Sequence, residues 1–329
     1  MISLVIPAYN EEKALDELIN RLVKAASEWR VDYEVILIDD GSKDNTWRII
    51  TQLHKKHAFL KAVRLSRNFG HQAAVTAGLR YARGDAVIVM DADLQDPPEI
   101  LKAFIDKWRE GYEVVYAVRK KRKESVFKRG AYFVFYRLLQ KLAEIDIPLD
   151  SGDFCLMDRK VVEEVNRLPE KHRFIRGLRA WVGYRQIGLE YERCARTLGE
   201  PKYTMRKLIG LALNGLLSFS SFPLRLASLF GLAIAATSLG GLIFFFIYRV
   251  FDFKLFGYSI REAPGTATIF LTVLFLGGIQ LITIGIIGEY LGRIFEEVKG
   301  RPTYIARDSV GFIDTLMEQK PAGAEQKNI

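Results

Sequence analysis

The sequence predicts an α/β fold: a mostly parallel sheet with helices on both faces, followed by amphipathic interface helices and two C-terminal transmembrane helices. Three observations point there. Apolar runs of strand length alternate with helix-length segments through about the first 200 residues. Two later spans, Leu226–Tyr248 and Ala267–Gly288, are almost free of charge. One apolar run, Val87-Ile88-Val89-Met90, opens directly onto Asp91-Ala92-Asp93-Leu94-Gln95-Asp96. A continuous apolar run closed by a polar turn is the mark of a buried central strand. Ligands of open α/β sheets sit beyond the carboxyl ends of such strands.

Taken in order, Ile2–Pro7 reads as the first strand, with Ala8-Tyr9-Asn10 as its turn. Asn10 is placed to cap a helix over Glu11–Trp29. Val35–Ile38 is the second strand and exits into Asp39-Asp40-Gly41-Ser42-Lys43-Asp44. A helix over Asn45–His57 leads to a third strand, Leu60–Leu65, whose exit loop is Ser66-Arg67-Asn68-Phe69-Gly70. His71–Ala82 is helical by composition, and Val87–Met90 is the fourth strand. Pro97-Pro98-Glu99 opens a helix that ends near Gly111, with proline at its favoured early position. Val114–Val118 is the fifth strand. Ser151–Asp158 is a further strand, followed by a helix over Arg159–Leu168. Arg173–Trp181 is either a helix or a mobile loop, and Tyr184–Ala195 is a late strand. Neither a P-loop nor GxGxxG follows the first strand, which disfavours a dinucleotide-binding fold.

The chain of 329 residues is 49% hydrophobic yet carries a formal charge of +9, and the two properties fall in different segments. Arg119–Arg129 is strongly basic and leads into the aromatic stretch Ala131–Leu142. That order suits a segment lying on anionic lipid; the alternative is a solvated loop before a core-facing helix. Thr204–Phe222 is partly amphipathic and reads as a helix in the interface plane, or else as a domain linker. Each uncharged span has the roughly 20 residues a bilayer requires, and a buried soluble hairpin is the rival reading. Glycines in both spans would permit close helix contacts and hence a homo-oligomer. Basic residues favour the outer flanks of the spans, and Met1 leads straight into a strand, so both ends are expected in the cytoplasm. Only two cysteines occur, Cys155 and Cys194, which argues against a disulfide scaffold. The basic charge lies beside membrane-facing segments and no nucleic-acid module appears, so a nucleic-acid partner is not expected. The polar tail from Gly311 reads as disordered.

Chemistry is expected where carboxylates gather at one sheet edge. Asp39 and Asp40 leave the second strand; Asp91 and Asp93 leave the fourth. Such groups can hold a ribose or base, or carry a hard cation shared with substrate phosphates. An isolated DxD is often only a surface turn, and Asp39–Ser42 could equally be a turn with a helix cap.

The ordered motifs Val5-Ile6-Pro7-Ala8-Tyr9-Asn10-Glu11-Glu12, Asp39–Asp44, Ser66–Gly70, Asp91–Pro98, Ser151-Gly152-Asp153-Phe154 and Arg173-Phe174-Ile175-Arg176-Gly177 resemble family 2 glycosyltransferases of the GT-A type. Within that type they are similar to polyprenyl-phosphate glycosyltransferases, the bactoprenol glucosyl transferases and dolichol-phosphate mannose synthases. The resemblance covers Met1 to about Thr303. It implies a cytoplasmic catalytic domain at 1–200, a juxtamembrane amphipathic helix at 201–225, two transmembrane helices at 226–290 and a cytoplasmic tail at 291–329. The implied location is the inner (plasma) membrane.

The resemblance also implies roles. Pro7, Tyr9, Glu11 and Asp39 would line the nucleotide pocket. Asp91 would contact the ribose or diphosphate side, and Asp93 would ligate Mg²⁺ or Mn²⁺ with the donor diphosphate, with Gln95 close by. Arg119, Arg129, Arg137 and Arg173 are candidates for the acceptor phosphate or donor diphosphate. Asp153 falls near the sugar, and Arg173 and Arg176 lie in a loop over the nucleotide. The implied partners are a nucleotide sugar, polyprenyl phosphate and the bilayer. QxxRW is absent, as it is from that group, which favours single transfer over polymerisation. The implied reaction is metal-dependent, inverting transfer of a hexose, UDP-glucose being the first-choice donor. Alternatives are another donor (GDP-mannose, UDP-galactose, UDP-N-acetylglucosamine or an aminosugar), another lipid acceptor, or a non-catalytic nucleotide-sugar-binding scaffold.

Overall fold

The structure, a computed structural model, describes residues 1–119, 151–171, 173–192, 227–234, scattered positions from 236 to 247, and 266–312. The chain divides into two units, Met1–Gly215 with Arg301–Ile329, and Leu216–Gly300. The first holds an eight-stranded sheet. Its strands in chain order are β1 (Ile2–Ala8), β2 (Tyr33–Asp39), β3 (Leu60–Leu65), β4 (Ala86–Val89), β5 (Val114–Arg119), β6 (Ser151–Asp158), β7 (Gln186–Tyr191) and β8 (Ala306–Val310). Across the sheet the order is β7-β5-β6-β4-β1-β2-β3-β8.

β1, β2 and β4 form the centre because nearly all their residues are apolar and buried. The helices pack on this core: α1 (Leu15–Ala26), α2 (Thr46–Lys56), α3 (His71–Tyr81), α4 (Leu101–Arg109), α5 (Arg159–Arg167) and α6 (Ile175–Trp181). In α1 the buried residues Leu15, Leu18, Ile19, Leu22 and Ala26 recur at helical spacing, and Asp16 and Glu17 complement its N-terminal dipole. α3 is buried from Ala73 to Leu79. Its Gly78 lies so close to β1 that a Cβ there would meet Val5 Cγ1 at 2.0 Å.

Three expectations are corrected. The sheet is mixed: β1·β2, β1·β4, β2·β3 and β5·β7 are parallel, whereas β4·β6, β5·β6 and β3·β8 are antiparallel. β6 runs opposite to both neighbours, between β4 and β5, an insertion that element alternation cannot reveal. Asn10 does not cap α1. It adopts φ 54°, and its side chain accepts from the Lys43 N–H at 2.9 Å. α1 instead starts beyond a turn closed by Ala14 N–H to Glu11 C=O, 3.0 Å. The third correction is β8, five residues within the expected tail that pair on the free edge of β3. Phe312 follows, its ring centroid 5.0 Å from that of Tyr81, so order extends past Gly311. The rest of the expected disordered tail lies outside the described residues.

In the second unit, α7 (Thr266–Val298) runs for 33 residues. Glu289 does not end it; the helix continues past an Arg293–Glu289 pair at 3.7 Å. Among the described residues one helix, Phe275–Val298, is long and apolar enough to cross a membrane. Leu281 is 72% exposed and Leu291 63%, an apolar surface that suits lipid contact. The span expected at Leu226–Tyr248 falls partly outside the described residues, as does the connecting loop; positions 227–234 are helical.

A buried polar cluster ties β1, β2 and β3. Glu34 accepts from Ser3 Oγ at 2.5 Å, from the Arg83 N–H at 3.1 Å and from Lys61 Nζ at 2.7 Å. Burial alone would raise its pKa, but the bonds from Lys61, Ser3 and Arg83 outweigh that and hold it below the ordinary 4.5. The pair therefore stabilises the fold above about pH 4.5, and the contribution is lost as pH falls through the lowered folded value. Glu34→Gln is expected to cost about 1–3 kcal/mol at neutral pH. Thermal unfolding in detergent should show that deficit shrinking as the parent is acidified below its folded value.

Candidate active site

The loops after β1 and β2 are laced together by side chain to backbone bonds. Ser42 Oγ accepts from the Asn10 N–H at 2.9 Å, and Thr46 Oγ1 from the Glu11 N–H at 2.9 Å. Glu12 Oε2 accepts from the Asn45 N–H at 3.0 Å, and Asp44 Oδ1 from the Thr46 N–H at 3.0 Å. Asp39 Oδ1 accepts from the Ser42 N–H at 2.9 Å, while its Oδ2 is buried and accepts no hydrogen bond among the described residues, with Arg64 Nε 3.3 Å away. Asp40 takes the Phe69 N–H at 2.7 Å and the Gly70 N–H at 3.0 Å, binding the β3 exit loop to the β2 exit. Burial raises the pKa of both carboxylates. Gly41 is required here: φ is +66°, and a Cβ would lie 2.4 Å from the Arg67 carbonyl carbon.

Beyond β4 the chain turns sharply. Asp93 Oδ1 accepts from the Gln95 N–H at 3.1 Å, and Leu94 sits at φ 60° with its side chain buried. A left-handed leucine is a costly conformation held by its surroundings. Asp96, buried at the end of the turn, accepts a hydrogen bond from the Tyr191 hydroxyl of β7.

The β4·β6 register brings the charges together. Pairing ends at Val89 opposite Cys155, so two residues onward Asp91 and Asp153 come side by side. His71, the first residue of α3, lies between them, its Nε2 3.3 Å from Asp153 Oδ2 and 3.8 Å from Asp91 Oδ1. Gln72 Nε2 donates to Asp153 Oδ2 at 3.0 Å, and Arg176 Nη2 stands 3.6 Å from Asp153 Oδ1. Burial works against a charged His71, but Asp91 and Asp153 overcome it and push its pKa up to about 9. Burial pushes Asp91 up to about 6, partly relieved by His71 and aggravated by Asp96, Asp93 and Asp153. Burial would raise Asp153 too, yet Arg176, His71 and Arg179 hold it well below the usual carboxylate range. Near pH 7 the pocket therefore holds a cationic imidazole between carboxylates. Arg176 Nε and Arg179 Nε and Nη2 are buried and donate no hydrogen bond among the described residues. Such donors suit an anion.

The structure thus gathers Asp91, Asp153 and Arg176, with Asp93 and Gln95 on the adjoining turn. Pro7 is buried within β1 opposite Ile38, and Tyr9 and Glu11 are half-buried just beyond. Arg173 stands apart: buried, its guanidinium donates to the carbonyl of Leu168 at 2.9 Å and to that of Val165. These bonds tie two of its nitrogens to the end of α5, while its Nε is buried and donates to no group among the described residues. Arg119 ends β5, while Arg129 and Arg137 lie outside the described residues. Unforeseen were His71 and Gln72. The only signal was their position directly after Ser66–Gly70.

Among the described residues no three His, Cys, Asp or Glu converge as a ready metal site. Asp91 and Asp93 nevertheless fit Mg²⁺ or Mn²⁺. Such ions take one or two protein carboxylates and complete their shell with water and substrate phosphates. Burial, with a smaller contribution from Asp96, Asp93 and Asp153, raises the Asp91 pKa, and a cation bound there would favour its charged form.

Residues 3–165 match the model of the family described as glycosyl transferase family 2. The chain is 46% identical over 311 residues to an uncharacterized glycosyltransferase, YkcC, of Bacillus subtilis (strain 168), covering 94% of each chain. It is 41% identical over 310 residues to the SfII prophage-derived bactoprenol glucosyl transferase of Shigella flexneri, covering 94% of this chain and 98% of that one. Among solved structures, glucosyl-3-phosphoglycerate synthase from Mycobacterium tuberculosis, in complex with Mn²⁺, UDP-glucose and phosphoglyceric acid, aligns at TM-score 0.44 and 18% identity, over 66% of this chain and 77% of that one. The chain belongs to glycosyl transferase family 2 and is a glycosyltransferase. Membership in an enzyme family sets the non-catalytic scaffold aside.

Two outcomes are expected. Tyr191→Phe removes the hydroxyl that holds Asp96 and should cost about 1–3 kcal/mol of stability together with transferase activity, read by unfolding and by product formation. Arg173→Leu removes the bonds to the carbonyls of Leu168 and Val165 and should lower the melting temperature, read by thermal unfolding.

Proposed function

We propose that this enzyme transfers a hexose, glucose in the first instance, from UDP-glucose to polyprenyl phosphate, releasing UDP and forming a β-linked polyprenyl-phosphate glycoside. One observation carries the reading: relatives named as bactoprenol glucosyl transferases are 40–41% identical over 93–94% of this chain, through the site and the C-terminal helices alike.

The chemistry fits the pocket. A phosphate monoester is already anionic near neutral pH, so its oxygen can attack the anomeric carbon without a strong general base. The anomeric bond to the nucleoside diphosphate breaks as the new bond forms, and in-line attack inverts configuration. Holding two anions together is the difficulty. Arg176 meets one of them, and Arg119, Arg129 and Arg137 are assigned to the acceptor phosphate or donor diphosphate. Mg²⁺ or Mn²⁺ held by Asp91 and Asp93 would neutralise charge on the departing diphosphate. Gln95 lies beside that pair and Asp153 orients the sugar or the acceptor. Asp39, paired with Arg64 through Oδ2, offers a carboxylate to a base N–H next to Tyr9 and Glu11, which Pro7 positions from β1.

The lipid acceptor explains the helices. Each buried methylene is worth about 0.8 kcal/mol, so a prenyl tail stays in the bilayer and the enzyme must come to it. We assign two spans, at 226–290, with the catalytic unit and both termini on the cytoplasmic side of the plasma membrane, and glycine-containing helix faces that support a homo-oligomer.

The test is transfer from a panel of radiolabelled UDP- and GDP-sugars to undecaprenyl phosphate in detergent, with Mg²⁺, Mn²⁺ or chelator. A chelator-sensitive lipid product from UDP-glucose is expected. Product from another donor alone would replace the sugar, and no lipid product with donor still bound would overturn the acceptor. Asp93→Ala should lower turnover at least about 100-fold with the fold intact; unchanged turnover would remove Asp93 from the metal.

A further inference from the structure

Gln72 makes two bonds that join Asp153 to the start of α6. Its Nε2 donates to Asp153 Oδ2 at 3.0 Å, and its Oε1 accepts from the Ile175 N–H at 2.9 Å. Ile175 opens α6, and its N–H is one of the donors a helix start leaves unsatisfied. Phe174, the preceding residue, provides no side-chain cap. The cap arrives instead from α3, 103 residues earlier in the chain. Both partners dictate the polarity of the amide. A carboxylate can only accept and an N–H can only donate, so the bridging side chain needs one donor and one acceptor at glutamine length.

The consequence for Asp153 is an asymmetric carboxylate. Gln72 and His71 engage Oδ2, whereas Oδ1 is buried, accepts no hydrogen bond among the described residues, and faces Arg176 at 3.6 Å. Arg176 is the residue after Ile175, so the bond that caps α6 also sets where its guanidinium begins. We infer that Gln72 is a positioning residue for sugar transfer, its amide locking Asp153 and the first turn of α6 into one piece so that Oδ1 and Arg176 face the substrate at a fixed separation. This rests on the transferase reading above.

The two halves of the amide can be separated. Gln72→Glu keeps an acceptor for the Ile175 N–H but loses the donor to Asp153. Gln72→Met has similar length and loses both. If the inference holds, Gln72→Glu lowers kcat at least about 10-fold, the lost donor and the new like charge beside Asp153 acting together, with KM for the nucleotide sugar close to the parent's. In Gln72→Met, amide hydrogen exchange across Ile175–Trp181 accelerates as well, whereas in Gln72→Glu it does not. A Gln72→Glu enzyme with parental kcat overturns the inference. So does failure of both variants to fold, which would make Gln72 a stability residue only. If the parent forms no prenyl-phosphate product, the transfer reading falls separately. The clamp is then judged by exchange alone: faster exchange in Gln72→Met upholds it, and unchanged exchange removes it.

Discussion

The antiparallel seating of β6 against β4 is the constraint from which the site follows. It carries Asp153 to the side of Asp91, two half-buried carboxylates in one place. Such a pair is costly unless positive charge is interleaved. His71 lies between them and Arg176 stands beyond, and these groups account for both the depressed Asp153 and the raised His71. The neighbouring elements serve this arrangement. Asp40 holds the loop that delivers His71, and Gly41 lets the β2 exit pass beneath it.

The other side of the pocket is held by strain and a tether. Leu94 in a left-handed conformation reverses the chain just after Asp93, and the Tyr191 hydroxyl fixes Asp96 where the turn ends. Phe154, one residue after Asp153, packs edge-on to the Tyr191 ring at 5.8 Å and against Phe104 at 5.0 Å. The loop that bears Asp91 and Asp93 and the strand that bears Asp153 therefore lean on one aromatic cluster. Displacing either is expected to disturb the other.

Much of this was legible in the sequence. The first strands are unbroken apolar runs, and their ends place Asp39, Asp40, Asp91 and Asp93 at one edge by a rule of parallel sheets. β3 was anticipated to the residue, because Leu60–Leu65 is closed on both sides by polar turns. What could not be read is non-local. The register that pairs Asp91 with Asp153 depends on a strand joining the sheet out of chain order. Local sequence makes Asn10 a plausible cap, and only the nearby β2 loop diverts it to Lys43. Arg173 sits in a basic, aromatic stretch that invites a phosphate, yet burial turns it to carbonyls. β8, Ala-Arg-Asp-Ser-Val, lacks the apolar run of a core strand because it lies at an edge, where one side needs little covering.

That edge strand also settles how the chain is threaded. The polypeptide leaves the catalytic unit at Gly215, forms the helical unit, and re-enters at Arg301 to complete the same sheet. The helical unit is thus an insertion within the enzymatic one rather than an appendage to it. Cutting the gene before the helices would strip β8 from β3 and bare a row of unpaired backbone groups, the usual template for aggregation. A form of the enzyme without the helical unit would have to keep β8 with the catalytic unit rather than be truncated before the helices.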